Sequence, residues 1–305
     1  MPAAPRLSIV VPVRDEQDTV HELAARIARV VQDEYELIFI DDGSTDDTWK
    51  RLVELHQPDR VRLLRFRRHS GKTPALMAGF RAARGETIVT LDGDLQDDPA
   101  EIPRFVAKLG EGYDLVTGWK KHRRDPLIKV ISSRLFNFAA RLSTGLRLHD
   151  INCGFKAMRG EAARSLRIHG ELHRFIPVLA AARGFRVTEI EVTHHPRRHG
   201  RSKYGIERMF RGLFDLITVV LATRLLKRPA QGFAGVDLAF LALALLLLGG
   251  LIAQGAGTPP LVAAGAVLIL ARGVFRAAGR AAERVAATAE PDPEIPRYAI
   301  QERLD

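Results

Sequence analysis

The chain's most chemically pointed feature is Asp92-Gly93-Asp94-Leu95-Gln96, continued by Asp97-Asp98-Pro99. Two carboxylates one small residue apart can jointly hold a hard divalent cation, Mg2+ or Mn2+, which in turn neutralises a diphosphate. Gly93 lets backbone approach a ligand closely. Acidic turns after strands are usually just solvated, so the pair gains its weight from position: it directly follows the apolar run 87–91.

A second acidic tip, Asp41-Asp42-Gly43-Ser44, follows the apolar run 36–40. There Asp41 and Asp42 are placed to accept hydrogen bonds from a base N–H or a ribose hydroxyl, whereas Asp46 and Asp47 serve a helix start. Ser70-Gly71-Lys72-Thr73 suggests a phosphate loop, but that pattern needs glycine five residues before Gly71, where Phe66 stands. Lys72 remains a point charge for phosphate at a helix start. His194, His195 and His199 have no cysteine or HExxH frame around them, so zinc is not expected.

The segment Arg197-Arg198-His199-Gly200-Arg201-Ser202-Lys203 is strongly basic, and Lys120, Lys121, Arg123, Arg124 and Arg134 add cations earlier. The formal charge of +10 agrees with an anionic partner. No basic stripe with interleaved aromatics accompanies the cluster, so nucleic acid is not expected. Its place ahead of an apolar region suits a phosphate presented at a membrane surface.

These tips require a scaffold that brings strand ends together. Short β-branched runs at 7–11, 36–40, 61–66, 87–91 and 114–117 alternate with helical patterns at 18–31, 45–55 and 73–84. That order predicts an α/β domain with a mostly parallel sheet, whose ligands bind just beyond the carboxyl ends of the strands. Ser44 is the expected N-cap of the second helix, and Pro74 falls in the first turn of the third, where proline is tolerated. The single cysteine, Cys153, excludes an intramolecular disulfide or a cysteine-built metal site and fits a reducing compartment.

After Lys203 the pattern changes. Residues 205–226 repeat apolar side chains at helical spacing opposite a charged face, as an interfacial membrane helix does. Residues 233–253 carry one charge, Asp237, and are long enough to span a bilayer core; 259–275, interrupted by Arg272, form a second such stretch. The expected organisation is a domain at 1–204, an amphipathic segment at 205–228, a two-helix transmembrane hairpin at 229–280 and a tail at 281–305, extended or disordered at its end. Basic residues flank the hairpin on both outer sides, so the positive-inside rule puts both ends in the cytoplasm. The N-terminus has no signal-peptide pattern, in keeping with that orientation.

Six ordered segments then resemble the dolichyl-phosphate mannose synthase-like glycosyltransferases, inverting enzymes of the GT-A fold. They are Val10 to Glu16, Asp41 to Ser44, His69 to Lys72, Asp92 to Gln96, Asn152-Cys153-Gly154-Phe155-Lys156 and Arg197 to Lys203. The hairpin and the closing Tyr298-Ala299-Ile300-Gln301-Glu302 are similar to the bacterial branch that glycosylates undecaprenyl or other polyprenyl phosphates.

The resemblance implies that Pro12, Glu16, Asp41, Asp42, Lys72, Asp92 and Gly93 line the nucleotide-sugar pocket, for a GDP- or UDP-linked donor. It implies that Asp94 and Gln96, assisted by Asp92, ligate Mg2+ or Mn2+. Arg134, Arg197, Ser202 and Lys203 would hold donor and acceptor phosphates, with Lys120 where the family has arginine. Asp94, Arg134, Arg197 and Lys203 would carry catalysis on the inner membrane's cytoplasmic face, with room for a homo-oligomer. Asp15 and His69-Ser70 depart from the usual asparagines. Two rivals are a processive polysaccharide synthase of this fold and a non-catalytic membrane-surface binding module. Against the first, neither Trp49 nor Trp119 lies in a Gln-x-x-Arg-Trp motif.

Overall fold

The computed structural model describes residues 6–32, 34–121, 145–168, 170–196 and 300–305, with isolated positions between. Nearly all of them belong to one unit, Met1–Leu216 with Ile295–Asp305; a second unit, Ile217–Glu294, holds the rest. The two apolar stretches at 233–253 and 259–275 lie almost wholly outside the described residues. Among the described residues no helix is long and apolar enough to cross a membrane.

All five expected strands form: β1 (Leu7–Val13), β2 (Tyr35–Asp41), β3 (Val61–Phe66), β4 (Thr87–Thr90) and β5 (Leu115–Trp119). Three more complete the sheet, β6 (Lys156–Arg159), β7 (Val187–Glu191) and β8 (Ile300–Leu304), in the order β7-β5-β6-β4-β1-β2-β3-β8. β1 pairs in parallel with both β2 and β4, β2 with β3, and β5 with β7. β6 runs antiparallel between β4 and β5, and β8 antiparallel along β3. The closing tail, expected to be extended or disordered, thus ends as an edge strand. Its terminal Asp305 reaches Arg62, a buried guanidinium that also meets the buried Glu36 at 2.7 Å.

β2 is buried along its whole length, as a strand covered on both faces must be. One sheet face packs Ile9, Val11, Leu37 and Phe39 with Val20, Leu23 and Ile27 of α1 (Val20–Val30) and Leu52 of α2 (Thr48–Leu55). On the opposite face lies α3 (Lys72–Ala82), buried from Ala75 to Phe80. Ser44 does not cap α2. The helix starts later, Asp46 Oδ1 accepts the Thr48 N–H at 3.0 Å, and Ser44 Oγ accepts the Asp15 N–H at 2.9 Å instead. The helix thus starts from Asp47 without a side-chain cap, Asp46 closing a local turn ahead of it and the serine tying two loops together.

Strand direction decides the rest. β1 to β5 and β7 all end at one edge of the sheet, and β6 and β8 both begin there. Five of the six motif segments, Val10 to Glu16, Asp41 to Ser44, His69 to Lys72, Asp92 to Gln96 and Asn152 to Lys156, therefore gather at that edge.

Candidate active site

The Asp92–Asp98 segment keeps a strand-like alternation past the end of β4. Asp92, Asp94, Gln96 and Asp98 are half-open, whereas Gly93, Leu95 and Asp97 are buried. The three side chains expected to hold a cation thus share one side. Leu95 adopts φ 59°, which turns the chain, and Asp94 Oδ1 accepts the Gln96 N–H at 3.1 Å. A Cβ on Gly93 would lie 2.7 Å from Val13 Cγ1, so this glycine is needed for packing against β1. Asp92 Oδ1 accepts a hydrogen bond from Lys72 Nζ. On its other side Asp92 meets Gly154, where a Cβ would come within 2.6 Å of Oδ2.

Two further ammonium groups surround Asp92. Lys156 is buried at the start of β6 and donates to the Cys153 carbonyl. Burial, reinforced by Lys72, pulls its pKa down to about 8. Lys120 Nζ stands 2.6 Å from Asp97 Oδ1, and Asp97 is fully enclosed. Burial works against the Lys120 ammonium, but Asp97 and then Asp92 more than offset it and raise its pKa. Burial likewise tends to lift Asp92, yet Lys72, Lys120 and Lys156 hold its carboxyl well below the ordinary range. Burial pushes the Cys153 thiol up to about 12, so it stays protonated at neutral pH.

The second acidic tip has an internal partner. Asp42 accepts the N–H groups of Ser70 at 2.7 Å and Gly71 at 2.9 Å, and faces His69 Nδ1 at 2.7 Å. The anion nest that precedes α3 is thus occupied by a carboxylate of the chain itself. Asp41 is buried, takes the Ser44 N–H at 2.9 Å and lies 3.4 Å from Arg65; burial raises its pKa. Pro12 and Glu16 border the same edge, half-open, and the Glu16 N–H bonds Thr48 Oγ1 at 2.8 Å. Asp15 has φ 51°, a left-handed conformation that Asp tolerates as Asn does, and accepts the Thr45 N–H.

The third grouping is a clasp. His194 bridges Asp97, the His195 N–H bonds the Gln96 carbonyl at 2.8 Å, and His195 Nε2 stands 3.1 Å from Asp98 Oδ2. Glu101 accepts from the Thr193 N–H and hydroxyl. These bonds root the chain next to the acidic turn immediately before the basic cluster. Arg134, Arg197, Ser202 and Lys203 themselves lie outside the described residues.

Among the described residues no group of three or more His, Cys, Asp and Glu surrounds a common metal position. The donor set still fits Mg2+ or Mn2+. Such ions are commonly held by one or two carboxylates together with substrate phosphates, not by an all-protein cage. Asp92, Asp94 and the Gln96 amide supply hard oxygens on one open side.

Residues 8–167 match the model of Glycosyl transferase family 2. The chain belongs to that family. This glycosyltransferase is 38% identical to the dodecaprenyl-phosphate galacturonate synthase of Rhizobium johnstonii over 98% of its own length and 93% of that protein's. It is 37% identical to an undecaprenyl-phosphate 4-deoxy-4-formamido-L-arabinose transferase of Pseudomonas fluorescens, over 75% of this chain and 68% of the other. Among solved structures, glucosyl-3-phosphoglycerate synthase of Mycobacterium tuberculosis, crystallised with Mn2+ and uridine-diphosphate, matches with TM-score 0.57 and 23% identity, covering 72% of this chain and 80% of that one. That likeness is one of fold, and the α/β domain of the family 2 enzyme is of the GT-A type.

Gly154, Lys156, Asp97 and His195 carry parts of this site that motif reading did not assign to individual residues. The 152–156 stretch stood out by resemblance, but nothing local marks Gly154 as the neighbour of a side chain that far back in the sequence.

Proposed function

We propose that this glycosyltransferase moves one sugar from a nucleotide-diphosphate donor to a polyprenyl phosphate at the cytoplasmic face of the membrane, with inversion at the anomeric carbon. The observation that carries this reading is the nearly end-to-end similarity to the Rhizobium johnstonii synthase, whose name specifies a dodecaprenyl phosphate. The bond from the anomeric carbon to the diphosphate oxygen breaks, and a bond to an oxygen of the lipid phosphate forms. A phosphate monoester, with its second pKa near ~6, is already ionised at neutral pH and needs no strong general base.

The protein's task is alignment and charge screening. Asp92, Asp94 and Gln96 would hold the divalent cation, which supplies Lewis-acid stabilisation of the departing diphosphate. Pro12, Glu16, Asp41, Asp42 and Gly93 border the nucleotide, with Lys72 beside the diphosphate. Lys120 contributes from below by holding Asp97. Arg134, Arg197, Ser202 and Lys203 position the acceptor phosphate.

Chain connectivity supports the membrane arrangement. One domain comprises Met1–Leu216 and Ile295–Asp305, so the chain departs from it and later rejoins it. A segment that departs from and rejoins one domain must cross a membrane an even number of times, as a hairpin of 233–253 and 259–275 does.

The deciding experiment incubates purified protein with Mg2+, a polyprenyl phosphate and a panel of UDP- and GDP-sugars, uronic acids included, and reads the lipid product by mass. One glycosyl addition with one donor is expected. Asp94→Ala should retain native circular dichroism and lose the product; normal turnover in that variant would remove the cation from the mechanism. Absence of a lipid product with every donor would overturn the acceptor assignment.

A further inference from the structure

Three lysines lie around Asp92, but they differ in what holds them. Lys120 is tied to a buried acid at 2.6 Å. Lys156 is sealed in the core with its ammonium on the Cys153 carbonyl. Lys72 is half-open and so is Asp92, so the Lys72–Asp92 pair faces the side from which a ligand arrives. The Lys72 backbone, by contrast, is anchored on both sides. The Gly71 N–H is bound to Asp42, and Thr73 Oγ1 lies 2.8 Å from His173 Nδ1 in the core. Only the flexible four-carbon stem of Lys72 has freedom to change partner.

A carboxylate intended for a divalent cation, enclosed on one side by Gly154, keeps in the cation's absence only the lysine ammonium groups to offset its charge, and Lys72 hydrogen-bonds it directly. An ammonium on that same oxygen supplies the missing charge. When the cation arrives, a lysine left in place would repel it, since like charges a few ångströms apart in a partly buried site interact strongly.

Resting on the metal assignment above, we propose that Lys72 is an exchangeable counter-cation for Asp92. In the cation-free enzyme its ammonium occupies the carboxylate oxygen that the divalent ion will use. On binding of the cation with the nucleoside diphosphate, Asp92 passes to the metal and Lys72 swings to the diphosphate, which provides the negative charge that Asp92 no longer offers it. Donor and metal binding are thereby coupled, because each provides the partner that the other displaces.

Mn2+ binding, followed by loss of the free-ion electron paramagnetic resonance signal, tests this without any turnover. For Mn2+ alone, Lys72→Met should bind about tenfold more tightly than wild type, because the competing charge is gone. Lys72→Arg, which keeps the charge, should bind no more tightly than wild type. In wild type UDP should tighten Mn2+ binding by more than it does in Lys72→Met. Lys72→Gln, checked like the others by circular dichroism, repeats the experiment should the methionine variant misfold. Equal or weaker Mn2+ affinity in both neutral variants would overturn the exchange. A wild-type protein that binds no Mn2+ even with UDP would instead overturn the metal assignment on which it rests.

Discussion

Lys120 Nζ lies 2.6 Å from Asp97 Oδ1, a buried ion pair one residue past the open Asp92–Gln96 turn. Its position explains how four aspartates fit into seven residues. Those on the open side face ligand or solvent, and the one on the closed side is neutralised from within. Breaking such a pair by removing one partner leaves an isolated buried charge and typically costs about 3–5 kcal/mol, whereas replacing both with apolar groups is much milder. Lys120→Met should therefore lower stability by that amount in urea unfolding of the protein, and Lys120→Met with Asp97→Leu should recover a large part of it. A double variant no more stable than the single would contradict this account of the pair.

Gly154 offers a sharper probe of the site. A methyl group there would come within 2.6 Å of Asp92 Oδ2, so the carboxylate or the 153–154 backbone has to move. Overpacking of this kind costs roughly 1–3 kcal/mol. Gly154→Ala should also reduce transfer by at least about tenfold, since misplaced charge stabilisation is felt in the rate more than in the fold. Transfer at the wild-type rate would show that the close approach is irrelevant to chemistry.

Lys156 predicts a pH effect of definite sign. Its pKa falls from the usual 10.5 to about 8 in the folded protein. Between these values the unfolded chain binds more protons than the folded one, so stability rises with pH there. The burial penalty is fully present below about pH 8 and disappears as pH approaches that of free lysine. Relative to Lys156→Met, the wild-type protein should gain up to ~3 kcal/mol between those limits, at about 1.4 kcal/mol per unit. Denaturant titrations of both proteins across this range check it; a difference that stays constant with pH would rule it out.

The clasp between Gln96–Glu101 and Thr193–His195 holds the chain beside the acidic turn, and the basic cluster follows directly in sequence. Removing one charge-assisted phosphate contact costs about 1.5–3 kcal/mol. Arg197→Ala should accordingly raise the KM for polyprenyl phosphate by tenfold or more with the donor KM unchanged. His195→Ala, which loosens the root without removing a cation, should raise the same constant less. Steady-state kinetics with each substrate varied in turn separates the two, and a change confined to the donor KM would contradict both roles.

Much of this protein was legible before any coordinates. Alternating β-branched and amphipathic runs placed β1 to β5 and α1 to α3 within a few residues, because burial on both faces of a parallel sheet imposes a continuous apolar pattern on each strand. Ser44 does not cap α2 because the helix begins only at Thr48 and the serine hydroxyl is engaged by the Asp15 N–H. β6, β7 and β8 are not among the strands the sequence predicts; β8 pairs on one side only, and its mixed charged sequence shows no alternation that a core would demand.

The sequence alone determined that Asp92 and Asp94 follow a strand and that their spacing suits a cation with a diphosphate. That information is local: residue type, period and turn chemistry act within a few positions. Tertiary structure decided which charges those carboxylates meet. Lys72, Lys120 and the Gly154–Lys156 stretch come from three separate segments, brought together only because strands of both directions end or begin at one edge of the sheet. Whether a lysine there is locked, as Lys120 is on buried Asp97 and Lys156 is in the core, or paired with a half-open carboxylate, as Lys72 is, follows from the side of the chain that faces the core. Charge is written in the sequence; its desolvation, and so its strength, is a property of the fold.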